Sequence, residues 1–314
     1  MNRRFNWKLV VGTLILVAFL AVGLFPHAVT RYTPFATDVW HSWDLSIPPF
    51  PPSKLHWLGT DDFGRDTYTQ LIYGIVPTLR DATLLVTATL VGSFLIASIT
   101  TLYRPRFVGF LMDTMTQSMT LVPPVILAIL VLETPPIYFS THSAWWYYCV
   151  IGILEIVRFV PVIEGDMRLI SDKPFIEGAI TVGNSKLRVF RVHMLKWLWP
   201  YLFEYIPSQY ARILTVIGEL AYFGLFSNVK LVQGQASIHV MTTDLDWSAM
   251  IGIGGHNWFS VPGVVFFTTL AFCLLILAFR FVSSGMADLG QMERSYYWPE
   301  TRYGKLPLPP LWRR

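Results

Sequence analysis

Charged residues are scarce in this chain: Asp, Glu, Lys and Arg make up 14% of its 314 residues, against about 25% in a soluble domain. With 53% hydrophobic residues and a mean hydropathy of +0.47, that scarcity excludes an ordinary soluble domain and points to an integral membrane protein. Cysteine is nearly absent. Cys149 and Cys273 both fall in apolar runs, so neither a disulfide framework nor a zinc site can be built from them, and plain packing is expected. No internal repeat of the kind common in secondary transporters is visible. The apolar runs also lack a serine elbow, a His-Glu-x-x-His pair or paired carboxylates, which weighs against an intramembrane enzyme. The net charge of +4 follows from where the basic residues sit and is no signature of nucleic-acid binding.

What is there is a series of apolar runs separated by polar breaks. Met1–Lys8 is short and basic, and Leu9–Phe25 follows without a charge. A signal peptide needs a small-residue cleavage site. Phe25-Pro26-His27 offers none, so this run reads as a retained first span. Ala28–Trp57 reads as an extended external segment rich in proline and aromatics. Further spans are expected at Ala82–Tyr103, Phe107–Leu132, Ala144–Ile163, within Tyr201–Phe226 and at Val261–Phe279, the fifth being the least apolar. The expected fold is therefore an all-α membrane protein of six transmembrane helices. Pro123-Pro124 should kink the third span. Trp145, Trp146, Tyr147 and Tyr148 read as an outer aromatic belt on the fourth. Gly290–Arg314 is polar and proline-rich, and reads as a disordered tail on the membrane.

The longest polar break, Asp166–Leu202, reads as two short helices with a bend between them. Asp172 can cap the first, whose first turn suits Pro174. Phe175, Ile176, Ala179, Ile180 and Val182 give it an apolar side, and Gly183 supplies the left-handed stop. Ser185 can cap the second, in which Leu187, Val189, Phe190, Val192, Leu195 and Leu198 alternate with Lys186, Arg188, Arg191, His193 and Lys196. A basic amphipathic pair between spans either docks something cytoplasmic or lies on anionic lipid. Gly178–Ser185 approaches a phosphate-binding loop, but Asn184 replaces the required lysine and no buried strand precedes it, so nucleotide binding is rejected.

A second stretch, His56–Asp66, contains Gly59, Thr60, Asp61, Asp62, Gly64, Arg65 and Asp66. Thr60 reads as a helix cap with Asp61 and Asp62 in the first turn, and Arg65 is spaced to pair with either. A capped interfacial helix is favoured over a metal site built on the three aspartates.

Both stretches carry a resemblance. Glu177-Gly178-Ala179, three residues, Gly183, nine residues, then His193-Met194-Leu195 resembles the coupling-loop motif of ABC importer permeases. Gly178 stands in place of an alanine and Lys196 in place of a proline. Pro51-Pro52-Ser53, His56, Leu58-Gly59-Thr60-Asp61 and Gly64-Arg65-Asp66 resemble the external signature of the dipeptide/oligopeptide/nickel branch of that family. Asp246-Trp247-Ser248 is similar to its segment entering the last span, and Glu219–Leu225 to a longer run before it, here shortened. The polar end of the family's sixth span has no counterpart. The resemblance implies a type I importer permease working by alternating access with a homologous second permease. It further implies two ATP-binding cassette ATPases carrying ATP and Mg, and an external substrate-binding protein. This chain would hold no cofactor or metal and would not be an enzyme. Glu177 and Gly183 would shape the loop, and Arg188 and Arg191 would meet acidic groups on the ATPase.

Charge placement sets the expected topology. With the amino terminus inside, 17 of the 24 basic residues lie inside and four outside, which puts both termini in the cytoplasm; the resemblance implies the cell membrane of a prokaryote. Residues 1–26 then form the cytoplasmic start and first span, 27–78 the external segment, 79–289 a five-helix core with the coupling loop at 166–202, and 290–314 the tail. Within the spans, Glu155 and Arg158 are placed to pair, as are Arg212 and Glu219. They either neutralise one another or line a polar path for a solute with charged ends. A secondary transporter without an ATPase is the alternative function.

Overall fold

The computed structural model describes residues 6–37, 48–103, 106–227, 229–233, 238–242 and 245–297. Arg3 and Arg4, the Arg104-Pro105 step, Asp244 and the tail from residue 298 lie outside the described residues. The chain is helical with one short hairpin, in the order α1 (Trp7–Leu24), a 3-10 turn (Pro26–Ala28), α2 (Thr67–Tyr73), α3 (Ile75–Tyr103), α4 (Arg106–Leu121), α5 (Pro124–Leu132), α6 (Pro135–Tyr138) and α7 (Ser143–Ser171). Then follow α8 (Pro174–Thr181), α9 (Lys186–Arg188), a π-helical segment (Val189–Met194), α10 (Leu195–Tyr222), strands β1 (Val229–Gln233) and β2 (Ile238–Thr242), α11 (Trp247–His256) and α12 (Pro262–Tyr297).

Four helical stretches are long and apolar enough to cross a membrane: Trp7–Leu24, Thr67–Tyr103, Ser143–Ser171 and Pro262–Gly290. Helices α4 and α5 make a fifth if counted together; they bend by 96° at Val122-Pro123, where proline removes a helical donor. The fifth expected span, within Tyr201–Phe226, corresponds to α10, which is about 42 Å long at 1.5 Å per residue but less apolar than the others.

Two apolar clusters hold the bundle. The larger gathers Ile75, Leu85, Ile213, Ile217, Trp247 and Leu275 from α3, α10, α11 and α12. The other joins Phe159, Ile163 and Met167 of α7 to Ile176, Phe190 and Leu198 of the polar break, so that break is built into the core. Helix α1 lies along α12, where a Cβ on Gly285 would stand 2.8 Å from Leu9 Cβ. Asn6 caps α1 by accepting from the Leu9 N–H and also donates to the Gly285 carbonyl.

Several expectations are corrected. The stretch Asn228–Asn257 contains the β1–β2 antiparallel hairpin and α11. Helix α12 runs on to Tyr297, into the segment read as tail. Cys149 and Cys273 lie exposed on the helix surfaces. Of the four belt residues, Trp145 and Trp146 face outward while Tyr147 is buried in the larger cluster.

Trp247, fully buried, fixes α11 to the outer end of α3. Its backbone N–H donates to Thr78 Oγ1 at 2.9 Å and its indole N–H to the Leu71 carbonyl at 2.8 Å. The indole fits because residue 74 is glycine: a Cβ there would stand 2.6 Å from Trp247 Cδ1 and 2.7 Å from the Leu245 carbonyl. Gly74→Ala should therefore displace Trp247 and lower stability by about 1–3 kcal/mol, read as an earlier thermal unfolding in detergent. An unchanged unfolding temperature would show that the helices do not approach so closely.

Candidate functional site

Three regions hold the predicted residues. The first is the α8–α9 unit. Glu177, Gly178, Ala179 and Ile180 lie on α8, which ends in a Schellman stop: the Gly183 N–H donates to the Ile180 carbonyl at 2.8 Å, and the Asn184 N–H to the Ala179 carbonyl at 3.4 Å. Gly183 is left-handed, at φ +87°, which only glycine adopts without strain. The Asn184 side-chain amide also donates to the Ala179 carbonyl, at 2.9 Å. Asp172 ends α7 and does not cap α8; Lys173 holds the N-cap position. Ser185 sits at the N-cap of α9 without a side-chain cap bond. The apolar side is narrower than expected. Ile176 is buried, but Val182 is 83% exposed, and Leu187 and Val192 are also exposed. They share the outer surface with Glu177, Ser185, Arg188 and Arg191, with His193 half-buried beside them. The second helix is not separate, because it runs through the π segment into α10.

The second region is the loop read from the sequence as external. Its glycines exclude the helix expected from Thr60: Gly59 and Gly64 lie at φ +79° and +76°. The loop winds instead around the Asp61 carboxylate. Asp61 Oδ1 accepts from the backbone N–H of Phe63 and Arg65, at 3.0 and 2.8 Å, while Oδ2 accepts from Arg65 Nε at 2.7 Å and Gln70 Nε2 at 3.0 Å. The expected Arg65–Asp61 pair is present, but on a loop. Thr60 Oγ1 accepts from the Phe50 N–H, tying the loop to the proline run. Helix α2 begins six residues later than expected, capped by Asp66 instead of Thr60, and Asp66 Oδ2 accepts from the Thr69 N–H at 2.8 Å. Its Oδ1 meets His56 Nδ1 at 3.0 Å, both groups buried. Asp62 accepts from Asn257, linking this loop to the end of α11. Gln70 and Asn257 carry no signal in the sequence, because their partners Asp61 and Asp62 lie nine and 195 residues away.

The third region is the pair of charged helices. Glu155, 1% exposed, accepts from Arg158 on α7 at 2.7 Å and from Arg212 Nε on α10 at 3.3 Å. Arg158 also donates to Gln209 Oε1 at 3.2 Å. Arg212 thus turns to Glu155 rather than to Glu219, which is exposed and enters no ion pair among the described residues. Beyond the exposed Trp199 and Phe203 of its first turns, a stripe of α10 left at least partly unburied carries Glu204, Ser208, Arg212, Thr215, Glu219 and Tyr222 in succession, at helical spacing. Every side chain of that stripe is polar, which explains the low apolarity of α10. Such a face is unsuited to lipid.

At the outer end of the bundle, Asp81 accepts from Ser227 and Arg80 at 2.9 and 3.0 Å. Nearby, Asp246 accepts from Ser248, and among the described residues its buried Oδ1 has no hydrogen-bond partner. Burial, with the charge of Asp81 adding to it, pushes the Asp246 carboxyl up from 3.8 to about 6, against the Ser248 hydrogen bond.

A helical bundle with several apolar spans, a basic amphipathic helix pair and a polar face on α10 is the arrangement of a multi-pass membrane protein. No family model matches the chain. It is 23% identical over 283 residues to the dipeptide transport system permease protein DppC of Alkalihalophilus pseudofirmus, covering 90% of this chain and 85% of that protein. It is 22% identical to the probable D,D-dipeptide transport system permease protein DdpC of Escherichia coli, covering 89% and 86%. With the glutathione transport system permease protein GsiD of Pectobacterium atrosepticum the identity is 21%, over 89% and 83%. The resemblance to the dipeptide/oligopeptide importer permeases is thus borne out along nine-tenths of the chain.

Two expected outcomes follow from this geometry. Gly183→Val places a β-branched residue at φ +87°, a strain of about 1–3 kcal/mol. Because nothing else crowds the site, the effect should stay local: faster protease cleavage between α8 and α9, with overall unfolding nearly unchanged. Equal cleavage of variant and wild type would show that the stop is not needed. For Asp246, a raised folded-state value means that stability present below about pH 3.8 is lost as pH rises to about 6. Asp246→Asn should abolish that loss, up to about 3 kcal/mol, seen as a flatter profile of unfolding temperature from pH 4 to pH 7. A profile identical to wild type would mean that Asp246 is solvated.

Proposed function

We propose that this chain is one membrane-spanning subunit of an ATP-driven importer of peptides or similar small solutes. Helix α10 serves as the fifth of six spans, its polar face turned to the path between this chain and a homologous permease. Arg158, Arg212 and Glu219 line that path, with Glu155 buried behind the two arginines and not itself exposed to it, and an external binding protein delivers the solute to its outer mouth. The loop around Asp61, with Gly59, Thr60, Asp62, Gly64, Arg65 and Asp66, shapes the outer surface. The observation that supports this best is the α8–α9 unit: anchored to the core through Ile176 and Phe190, it presents Glu177, Arg188 and Arg191 outward. A lever fixed at its base and charged at its tip suits coupling to two ATPase subunits, which hold ATP and Mg. Gly178, Ala179, Gly183, Ser185 and His193 set the lever's shape. Both termini lie in the cytoplasm of a prokaryotic cell.

The expected outcome is that this chain co-purifies with two ATPase subunits and a second permease, and that the reconstituted complex takes up peptide only with ATP. A cysteine at Ser185 should react only from the cytoplasmic side and one at Ser53 only from outside. Labelling of residue 185 from outside would overturn the topology, and uptake without any ATPase would overturn the importer.

A further inference from the structure

The unburied face of α10 supports a more specific reading, which rests on the importer function proposed above. Arg158 and Arg212 share one carboxylate, Glu155, so the trio retains a positive charge. Their side chains are 30% and 28% exposed. Arg212 engages Glu155 through Nε alone, and among the described residues nothing accepts from its two terminal nitrogens. An unbalanced cation within a span is unfavourable unless an anion or water answers it. A guanidinium presents forked donors that match a carboxylate.

Glu219 lies on the same face, seven residues and about 10 Å further along α10, exposed and without an ion-pair partner among the described residues. Thr215, between them, turns its hydroxyl to the Ala211 carbonyl and neutralises neither. The face therefore offers a positive site deep in the bundle and a negative one nearer its outer end. We propose that Arg158 and Arg212 take the terminal carboxylate of a short peptide in transit, while Glu219 takes its free amino group. The carboxylate end leads inward. The spacing suits an extended chain of about two or three residues.

The test uses the complete importer, this chain with its partner subunits, in proteoliposomes. ATP-driven uptake of dialanine is compared with that of dialanine amide. Wild type should favour the free acid by about tenfold or more. Arg212→Gln should bring the ratio near unity, and Arg212→Lys should keep most of the preference. A ratio left unchanged by Arg212→Gln would overturn the inference, placing selectivity in the binding protein. Loss of the second permease on purifying Arg212→Gln would overturn it too, since the guanidinium would then answer a carboxylate of that subunit. A second readout does not need transport: modification of Arg212 by phenylglyoxal in the wild-type complex, followed by peptide mass spectrometry. Dialanine should slow modification markedly more than its amide does. Equal protection would overturn the carboxylate site even with transport intact. Acid-selective protection without ATP-driven uptake would support the site and overturn only the importer.

Discussion

A charge within a membrane helix must be answered by another charge or by water, because hydrocarbon offers neither. The pairing of Glu155 with Arg158 and Arg212 meets that constraint, and much of the bundle's inner arrangement follows from it. Glu155 is almost fully buried, so its carboxylate is tolerable only while both arginines reach it. Arg158 does so from the next turn of α7. Arg212 must come from α10, which fixes the rotation of α10 about its axis. That rotation sends Ile213, Ile217 and Leu220 into the apolar cluster and leaves Ser208, Thr215 and Glu219 outside it. One ion-paired cluster thus orients a helix that its own hydropathy would not hold in a membrane.

Carboxylates organise the outer end differently. Asp61 is a template: two backbone donors, a guanidinium and an amide converge on one side chain, and the loop's path follows from satisfying them. Asp66 does the same for the first turn of α2. Asp246 is the contrary case. It is buried with a second carboxylate, Asp81, nearby, so its charged form is disfavoured. Trp247, held by two hydrogen bonds over Gly74, keeps Asp246 there. Packing of an aromatic ring outweighs the discomfort of its polar neighbour.

The sequence was most legible where local chemistry decides. Gly183 was read as a left-handed stop because a helix end needs one, and that requirement involves no distant partner. The break at Pro123-Pro124 is likewise local. The capping of α2 was misread because the competing evidence lay in backbone conformation. Thr60 followed by two aspartates has cap chemistry, yet Gly59 and Gly64 both adopt positive φ, which a helix across them cannot accommodate. The partner of Arg212 was missed for another reason. Spacing on one helix pointed to Glu219, whereas the choice of Glu155 depends on how two helices 57 residues apart in sequence come together. Cys149 and Cys273 show the same limit: an apolar run does not reveal which of its faces is buried.

The continuity of the polar break with α10 bears on how movement would pass through the molecule. From Lys186 to Tyr222 the backbone is helical without a gap, about 55 Å at helical rise. The π segment at Val189–Met194 is the irregular part, yet it is not loose, since Val189, Phe190 and Met194 are buried against α7. Under the importer reading, a push on the exposed α8–α9 surface would not be absorbed in a flexible loop. It would reach the Arg212–Glu155 contact along one rigid element, while α7, joined through the same apolar cluster, moved with it. The contact that orients α10 is then also the place where such a displacement would alter the polar face. A coupling helix built into the core in this way favours a concerted shift of α7 and α10 over bending at the loop.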